Sequence, residues 1–163
     1  MKKKEKNVKK ANMQIKKILV PIDGSDNSKK ALEYALDLSE KYSAEIKLLT
    51  VTEHVVFTSP VILIQPMFSQ PPTTFYTKQF RKAHNAILEN NFKLAKEKKS
   101  QIRISKQLQT GRPIDIIVTE ATNENFDLIV IGSHGTSGIK KWFLGSVSNK
   151  VADQAPCPVL LIK

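Results

Sequence analysis

Hydrophobic positions in this chain follow two kinds of pattern: short continuous runs, and longer segments in which they recur every three or four residues. Short apolar runs of this kind are typical of strands that are buried on both faces of a sheet. The runs occupy residues 17–23, 127–131 and 158–162, and residues 44–51 and 102–108 also have strand character. The pattern therefore predicts five strands, separated by segments that are long enough to form helices.

Helical spacing of apolar residues predicts helices between these strands. Ser25 or Asp26 can cap the first helix, and Pro113 is well placed in the first turn of the third. The last helix begins near Ser146. The predicted core-facing positions are Ala31, Leu32, Ala35, Leu38 and Tyr42 in the first helix, Phe80, Ala83, Ile87 and Leu94 in the second, and Ile114, Ile117, Val118 and Ala121 in the third.

Alternation of strands and helices predicts an α/β fold, in which a parallel sheet carries helices on both faces. Ligands of such sheets bind beyond the carboxyl ends of the strands, where the strand order reverses. Two distinctive turns follow strand ends: Asp23-Gly24-Ser25 and Gly132-Ser133-His134-Gly135. If the first and fourth strands are neighbours, these turns flank one crevice, which is the predicted site.

One connection differs from the others. Residues 55–77 form a stretch of 23 residues with four prolines and no charged side chain. Connections of this length without secondary structure are uncommon, and they often act as lids, binding loops or contacts with a partner. A helix is predicted to follow this segment.

Composition limits the class of protein. A chain of 163 residues is the right size for one domain. The single cysteine, Cys157, cannot form an internal disulfide, which fits a reducing cytoplasm. No apolar run approaches the roughly 20 residues of a membrane-spanning helix. We therefore expect a cytoplasmic protein that does not enter a membrane.

The formal net charge of +11 is concentrated at the start of the chain, where the first ten residues hold six lysines and one glutamate. Such runs are usually solvated and disordered, so residues 1–14 are predicted to be a basic arm and residues 15–163 the folded domain. Basic and aromatic residues do not interleave as they do on RNA-reading surfaces, and one cysteine excludes zinc-finger spacing. Specific nucleic-acid binding is therefore not favoured.

Glycines and serines follow the fourth strand in a pattern suited to phosphate. Gly132, Gly135 and Gly138 let backbone N–H groups approach an anion, and Gly145 and Ser146 lie at the start of the last helix. A helix start presents unpaired N–H groups and a partial positive charge. The hydroxyls of Ser146 and Ser148 could add hydrogen bonds to phosphate oxygens. In the alternative interpretation the glycines only form turns and Ser146 only caps a helix.

Other phosphate and catalytic motifs are missing. The sequence has no G-x-x-x-x-G-K-[ST], and the first strand is not followed by G-x-G-x-x-G. Gly135-Thr-Ser-Gly138 is one residue too short for a nucleophile elbow, and no histidine follows it. A P-loop protein, a dinucleotide enzyme and a serine hydrolase are therefore disfavoured.

The complete pattern resembles the ATP-binding signature of the universal stress protein family. It reads Gly132-x2-Gly135-x9-Gly145-Ser146, and the resemblance covers roughly residues 15–163. The flanking segments that agree are I-L-V-P-I-D-G-S at 18–25, D-L-I-V-I-G-S-H-G at 127–135 and A-P-C-P-V-L-L-I at 155–162.

This resemblance implies a three-layer sandwich with a five-stranded parallel sheet of order 3-2-1-4-5. It also implies a homodimer formed through the C-terminal edge strand, whose open backbone edge would otherwise be an aggregation hazard. By the same resemblance Asp23 reaches the ribose, Pro21 and Val51 form the adenine pocket, and Gly132 lies near the ribose. The phosphates would be surrounded by Gly135, Gly145, Ser146 and Ser148, and Ile131 and Val147 complete the predicted set.

We therefore predict an ATP-binding protein that acts as a nucleotide-dependent switch or sensor in stress responses. The alternatives are a weak ATPase or nucleotidyl-transfer enzyme, and a binding module for AMP or a cyclic adenine nucleotide. Arg112 is the only candidate for a catalytic arginine, and His134 is expected to pack rather than to catalyse. No histidine–cysteine zinc pattern fits the spacing, so a metal would be Mg²⁺ or Mn²⁺ arriving with the phosphates.

Overall fold

Strands and helices alternate along the chain, as the hydrophobic pattern predicts. The strands are β1 (Lys17–Pro21), β2 (Glu45–Thr52), β3 (Ile104–Thr110), β4 (Leu128–Gly132) and β5 (Val159–Ile162). The helices are α1 (Asp26–Tyr42), α2 (Thr73–Lys98), α3 (Pro113–Asn123) and α4 (Ser146–Gln154).

The computed structural model describes residues 14–53, 73–135 and 145–163, with side chains omitted at 73–77. Residues 1–13 of the predicted basic arm, most of the uncharged segment 55–77, and Gly138 lie outside the described residues. Helix α2 begins at Thr73, so its first turn takes in the last residues of that uncharged segment. Within the described ranges, no helix combines the length and the apolar character needed to cross a membrane.

The sheet has the order β3-β2-β1-β4-β5, and every pair of neighbouring strands is parallel. The predicted order 3-2-1-4-5 is therefore confirmed. Strand β1 lies at the centre, with Ile18 aligned to Ile46 of β2 on one side and to Leu128 of β4 on the other. From β1 the chain proceeds outward to β2 and β3 and then returns to β4, so the strand order reverses between β1 and β4.

Alternate residues of the central strands face two separate cores, because successive side chains in a strand point to opposite faces. Ile18 and Val20 of β1 belong to the core covered by α1 and α2, which includes Leu32 and Leu88. Leu19 faces the second core, which is covered by α3 and α4. The three-layer arrangement follows from this alternation.

The predicted core faces of α1 and α2 were partly wrong. Tyr42 is 42% exposed, Phe80 47% and Leu94 39%. Helix α2 faces the sheet through Leu88 and Ala95 instead. A large apolar side chain at a helix surface is tolerated, so spacing alone does not fix which stripe is buried.

The third strand begins two residues later than predicted. Ile102 is buried, but its N–H donates to the carbonyl of Lys99, which places it in the turn after α2. The strand then runs from Ile104 to Thr110. The predicted strand segment thus includes a buried turn residue that is not part of the strand.

A lysine with two carboxylate partners joins β2 to α3. Lys47 Nζ lies 2.7 Å from Glu120 Oε1 and also contacts Glu124, and it donates to Gln107 Oε1 at 3.0 Å. Gln109 Nε2 donates to the second oxygen of the buried Glu120 at 2.7 Å. Burial lowers the pKa of Lys47, but the hydrogen bonds and charges of the two carboxylates outweigh it and hold the pKa above 10.5.

This cluster predicts a specific acid dependence of stability. The hydrogen bond from Lys47 holds the pKa of Glu124 below its ordinary value of 4.5. The contribution of the Lys47–Glu124 interaction to the free energy of unfolding is therefore fully present above pH 4.5. It is lost as the pH falls through the lowered pKa of Glu124 in the folded state. In urea unfolding between pH 7 and pH 3, we expect wild type to lose stability more steeply than Glu124→Gln. In a Lys47→Met background the Glu124→Gln change should no longer alter the slope, and an unchanged difference would contradict this assignment.

Candidate functional site

A cavity of about 640 Å³ opens at the carboxyl ends of β1, β2 and β4, where the strand order reverses. Its volume lies within the range of small-molecule sites. All ten residues predicted for the site line this cavity, although they come from four separate parts of the chain. They are Pro21, Asp23, Val51, Ile131, Gly132, Gly135, Gly145, Ser146, Val147 and Ser148.

Asp23 is held in a fixed orientation by the turn that follows β1. Its Oδ1 accepts hydrogen bonds from Ser25 N at 2.9 Å and from Ser25 Oγ at 2.6 Å. Its other oxygen, Oδ2, faces Gly135, and a Cβ placed on that glycine would lie only 2.6 Å away. One carboxylate oxygen is thus anchored, and the other is directed across the cavity mouth.

Ser25, one of the two residues proposed as a cap from the sequence, is the N-cap of α1. The Ser25 hydroxyl donates to Asp23 and accepts from Ser28 N at 3.1 Å. The Ser28 hydroxyl returns a hydrogen bond to the Ser25 carbonyl at 2.8 Å. The cap and the carboxylate are therefore parts of one network, which fixes the start of α1 beside the cavity.

The glycine at the end of β4 approaches α1 closely. A Cβ on Gly132 would lie 2.8 Å from the carbonyl carbon of Asn27 and 2.9 Å from Ser28 N. Both of these atoms belong to the backbone, so they cannot move aside as a side chain could. Gly132 is needed here for helix–strand packing, whatever it contributes to a ligand.

Helix α4 begins without a side-chain cap. Gly145 is its N-cap residue, and the N–H of Gly145 donates to the Ser133 carbonyl at 2.7 Å. The next three N–H groups, those of Ser146, Val147 and Ser148, have no partner within the helix. Because all three residues line the cavity, this helix start offers donors and a partial positive charge to an anion.

The Ser148 hydroxyl has a different role from the one predicted. It donates to the Ser133 carbonyl at 2.8 Å and also lies 3.0 Å from the Gly145 carbonyl, and the residue is buried. Its proton is thus used to hold the β4 end against α4, and it is not directed at a ligand. Ser146 is exposed, and a hydrogen bond from its hydroxyl to a phosphate oxygen stays a prediction.

Val51 presents its backbone to the same cavity. In a parallel strand the N–H and C=O of one residue point to the same side, and successive residues alternate. Leu49 O accepts from Ile22 N on the β1 side, whereas Thr52 O accepts from Gly111 N beyond β3. The backbone groups of Val51 therefore point toward β1, past the residue where β1 ends.

His134 and Arg112 differ in their relation to the cavity, because His134 lines it. His134 Nδ1 lies 3.0 Å from Ser133 Oγ, and its Nε2 is buried without a partner in the described ranges. Arg112 does not line the cavity, and it pairs with Asp115 at 3.4 Å at the start of α3. Arg112, which was the only candidate for a catalytic arginine, therefore forms a local ion pair outside the cavity.

Further lining residues were not predicted from the sequence. Leu49, Pro113 and Ile117 form an apolar wall between β2 and α3, and Phe80 and His84 reach the cavity from α2. No motif marks these positions, because they lie far from the glycine loop in sequence. In the part of the chain that the structure describes, no group of three His, Cys, Asp or Glu side chains could hold a metal ion.

The fold and cavity define an α/β protein with a cavity at the reversal point of a parallel sheet. A sequence model of the universal stress protein family matches residues 14–163. The chain belongs to the universal stress protein family. Universal stress protein YxiE of Bacillus subtilis is 36% identical over 149 residues, which cover 90% of this chain and 98% of that protein. Universal stress protein MJ0531 of Methanocaldococcus jannaschii is 30% identical, covering 91% of this chain and 82% of that protein.

Solved structures agree with this assignment. Universal stress protein UspA from Lactobacillus plantarum has a TM-score of 0.76 at 23% identity, covering 92% of this chain and 99% of that one, which shows the shared fold. A universal stress protein crystallised in complex with cAMP has a TM-score of 0.66 at 26% identity, covering 92% of this chain and 98% of that chain.

Proposed function

We propose that this protein binds ATP in the cavity between β1 and β4 and acts as a nucleotide-dependent switch in stress responses. The observation that carries the proposal is that three features line the same cavity. These are the uncapped start of α4, the directed carboxylate of Asp23 and the apolar wall beside Val51. An adenine nucleotide has a matching anionic end, a sugar with hydroxyl donors, and a flat base.

The base fits the wall between β2 and α3. Leu49, Pro113 and Ile117 form this wall, and Pro21 adds apolar surface at the end of β1. The backbone of Val51 offers one donor and one acceptor beyond the end of β1. The edge of adenine carries both an amine donor and ring-nitrogen acceptors, so it can satisfy both groups. Asp23 Oδ2 is then available to a ribose hydroxyl.

A divalent cation is proposed to arrive with the phosphates. Mg²⁺ usually keeps several waters and is held by one or two carboxylates together with phosphate oxygens. Asp23 and Glu53 are the carboxylates among the described lining residues. Because Asp23 Oδ2 is assigned to the ribose, Mg²⁺ or Mn²⁺ would be held mainly by phosphate oxygens and water, and it would neutralise part of the phosphate charge.

A second candidate ligand is a cyclic adenine nucleotide. It is favoured by the neighbour that was crystallised with cAMP. The N–H groups at the uncapped start of α4 can bind a single phosphate as well as a chain of several. Turnover is a weaker alternative, since the described lining residues do not include an arginine.

The proposal predicts that nucleotide remains with, or binds to, the purified protein. Denaturing the protein and analysing the supernatant by mass spectrometry should release ATP, and calorimetry on the emptied protein should show ATP binding tighter than cAMP binding. No nucleotide in either experiment would refute the proposal. A preference for cAMP would favour the second candidate.

Two variants at Gly145 separate the anion site from general damage. Gly145→Asp places a carboxylate at the helix start, where it caps the N–H groups and repels phosphate. Gly145→Asn caps the same groups without the charge. We expect the Asp variant to lose more ATP affinity than the Asn variant, and equal losses would mean that phosphate does not bind at this helix start.

We also propose that β5 pairs with the same strand of a second copy. Strand β5 is only four residues long and lies at the edge of the sheet, and Leu160 is 36% exposed. Pairing would cover both the open backbone edge and this side chain.

A further inference from the structure

Helix α2 contributes to the cavity, although no sequence motif marks it. Among its described side chains, Phe80 and His84 line the cavity. A Cβ on Gly24 would lie 3.1 Å from Ile87 Cδ1, which shows how closely the β1–α1 turn approaches the helix. The helix thus carries His84 to the mouth of the site.

The position of α2 is fixed by contacts that lie C-terminal to His84. Leu88 is buried one turn further along the helix. Glu89 forms an ion pair with Lys106 of β3, and Lys98 lies 2.5 Å from Glu33 of α1. These contacts hold α2 against β3 and α1. His84 therefore belongs to a helix that is packed on both of its neighbours.

The tautomer of His84 follows from its hydrogen bond. His84 Nδ1 lies 2.8 Å from the Phe80 carbonyl oxygen, one turn earlier in the helix. A carbonyl oxygen only accepts, so Nδ1 carries the hydrogen. In the neutral form of the imidazole the lone pair is then on Nε2, which the hydrogen bond to Phe80 does not use.

We propose that His84 is a ligand-contacting specificity residue, whose Nε2 accepts a hydrogen bond from a donor group of the bound nucleotide. This inference rests on the proposed nucleotide function. The donors of an adenine nucleotide are the base amine and the ribose hydroxyls, whereas its phosphate oxygens are acceptors. The neutral imidazole therefore favours the donor-bearing end of the ligand and disfavours phosphate.

His84 and Asp23 act together in this view. Both line the cavity, and both present acceptors, since Asp23 Oδ2 is not used by Ser25. The donors proposed for the phosphates are those at the start of α4. A nucleotide whose phosphates bind there keeps its amine and ribose hydroxyls available for the acceptors of His84 and Asp23.

Two substitutions separate the nitrogen atoms of His84. His84→Asn places an amide near the position of Nδ1, so the hydrogen bond to Phe80 O can remain while the distal acceptor is lost. His84→Gln places an amide oxygen near the position of Nε2. In calorimetric titrations we expect the Asn variant to bind ATP about three- to tenfold more weakly, and the Gln variant to recover most of that loss.

Three analogues identify the donor: purine riboside triphosphate, which lacks the amine, 2′-deoxy-ATP and 3′-deoxy-ATP. The penalty of His84→Asn should disappear with one of them and persist with the other two. Equal penalties with all four ligands would show a structural role, and no penalty with ATP would also overturn the proposal.

The tautomer can be measured without any ligand. Long-range ¹H–¹⁵N spectra, with His84 assigned by its absence in the Asn variant, should show the hydrogen on Nδ1. A hydrogen on Nε2 would overturn the inference. If wild type binds no ATP at all, the proposed function fails in that titration and the specificity role falls with it, whereas failure of the inference alone leaves wild-type binding intact.

Discussion

Replacing Gly132 by alanine is expected to lower the free energy of unfolding by about 2–3 kcal/mol, which is in the range of overpacking in a filled core. The new Cβ would lie 2.8 Å from the Asn27 carbonyl carbon and 2.9 Å from Ser28 N. Neither β4 nor the start of α1 can move away easily. Gly132 is aligned with Ile162 of β5, and α1 is packed on the sheet through the buried Leu32.

The measurement is thermal unfolding followed by circular dichroism. For a domain of this size the loss corresponds to a fall in Tm of roughly 4–12 °C. Gly145→Ala is the matched control, because its Cβ would lie 3.2 Å from the Ser133 carbonyl oxygen and its φ of −59° suits alanine. We expect the control to lose less than half as much. A Gly132→Ala protein with the Tm of wild type would show that α1 and β4 can separate.

The order of elements could be predicted from the sequence because it depends on local patterns. Buried parallel strands read as apolar runs, and the turn at Ser25 has the chemistry of a helix cap, which the structure confirms. The buried face of α2 could not be predicted in the same way. Phe80 and Leu94 have suitable spacing, yet the helix is rotated so that Asn91 is buried, with its amide donating to Ile87 O. That rotation is set by what the helix packs against.

The candidate site shows the same division between local and tertiary information. Asp23 and Gly135 each follow a strand end, so a parallel sheet with adjacent first and fourth strands brings them together. The sequence could not show that the Ser148 hydroxyl is used on the Ser133 carbonyl, because that hydrogen bond depends on how α4 meets β4. It also gave no indication of His84, which enters the cavity through the packing of α2, a helix that begins 21 residues after the end of β2.

Replacing Gly135 by alanine is expected to weaken ATP binding about 10- to 100-fold while leaving the fold intact. The new Cβ would lie 2.6 Å from Asp23 Oδ2. The carboxylate cannot rotate freely, because Ser25 N and Ser25 Oγ hold its other oxygen at 2.9 and 2.6 Å. The substitution should therefore displace the oxygen proposed for the ribose, and a hydrogen bond to a charged group is worth about 1.5–3 kcal/mol.

A double-mutant cycle decides whether Gly135 acts through Asp23. Calorimetric ATP affinities would be compared for wild type, Gly135→Ala, Asp23→Ala and the double variant. If the alanine at 135 harms binding only by displacing the carboxylate, it should cost nothing further once the carboxylate is gone. Additive losses would contradict this coupling, and they would mean that Gly135 acts separately, by allowing its backbone N–H to approach a phosphate. The cycle thus distinguishes a glycine that makes room for a neighbouring side chain from one that makes room for the ligand.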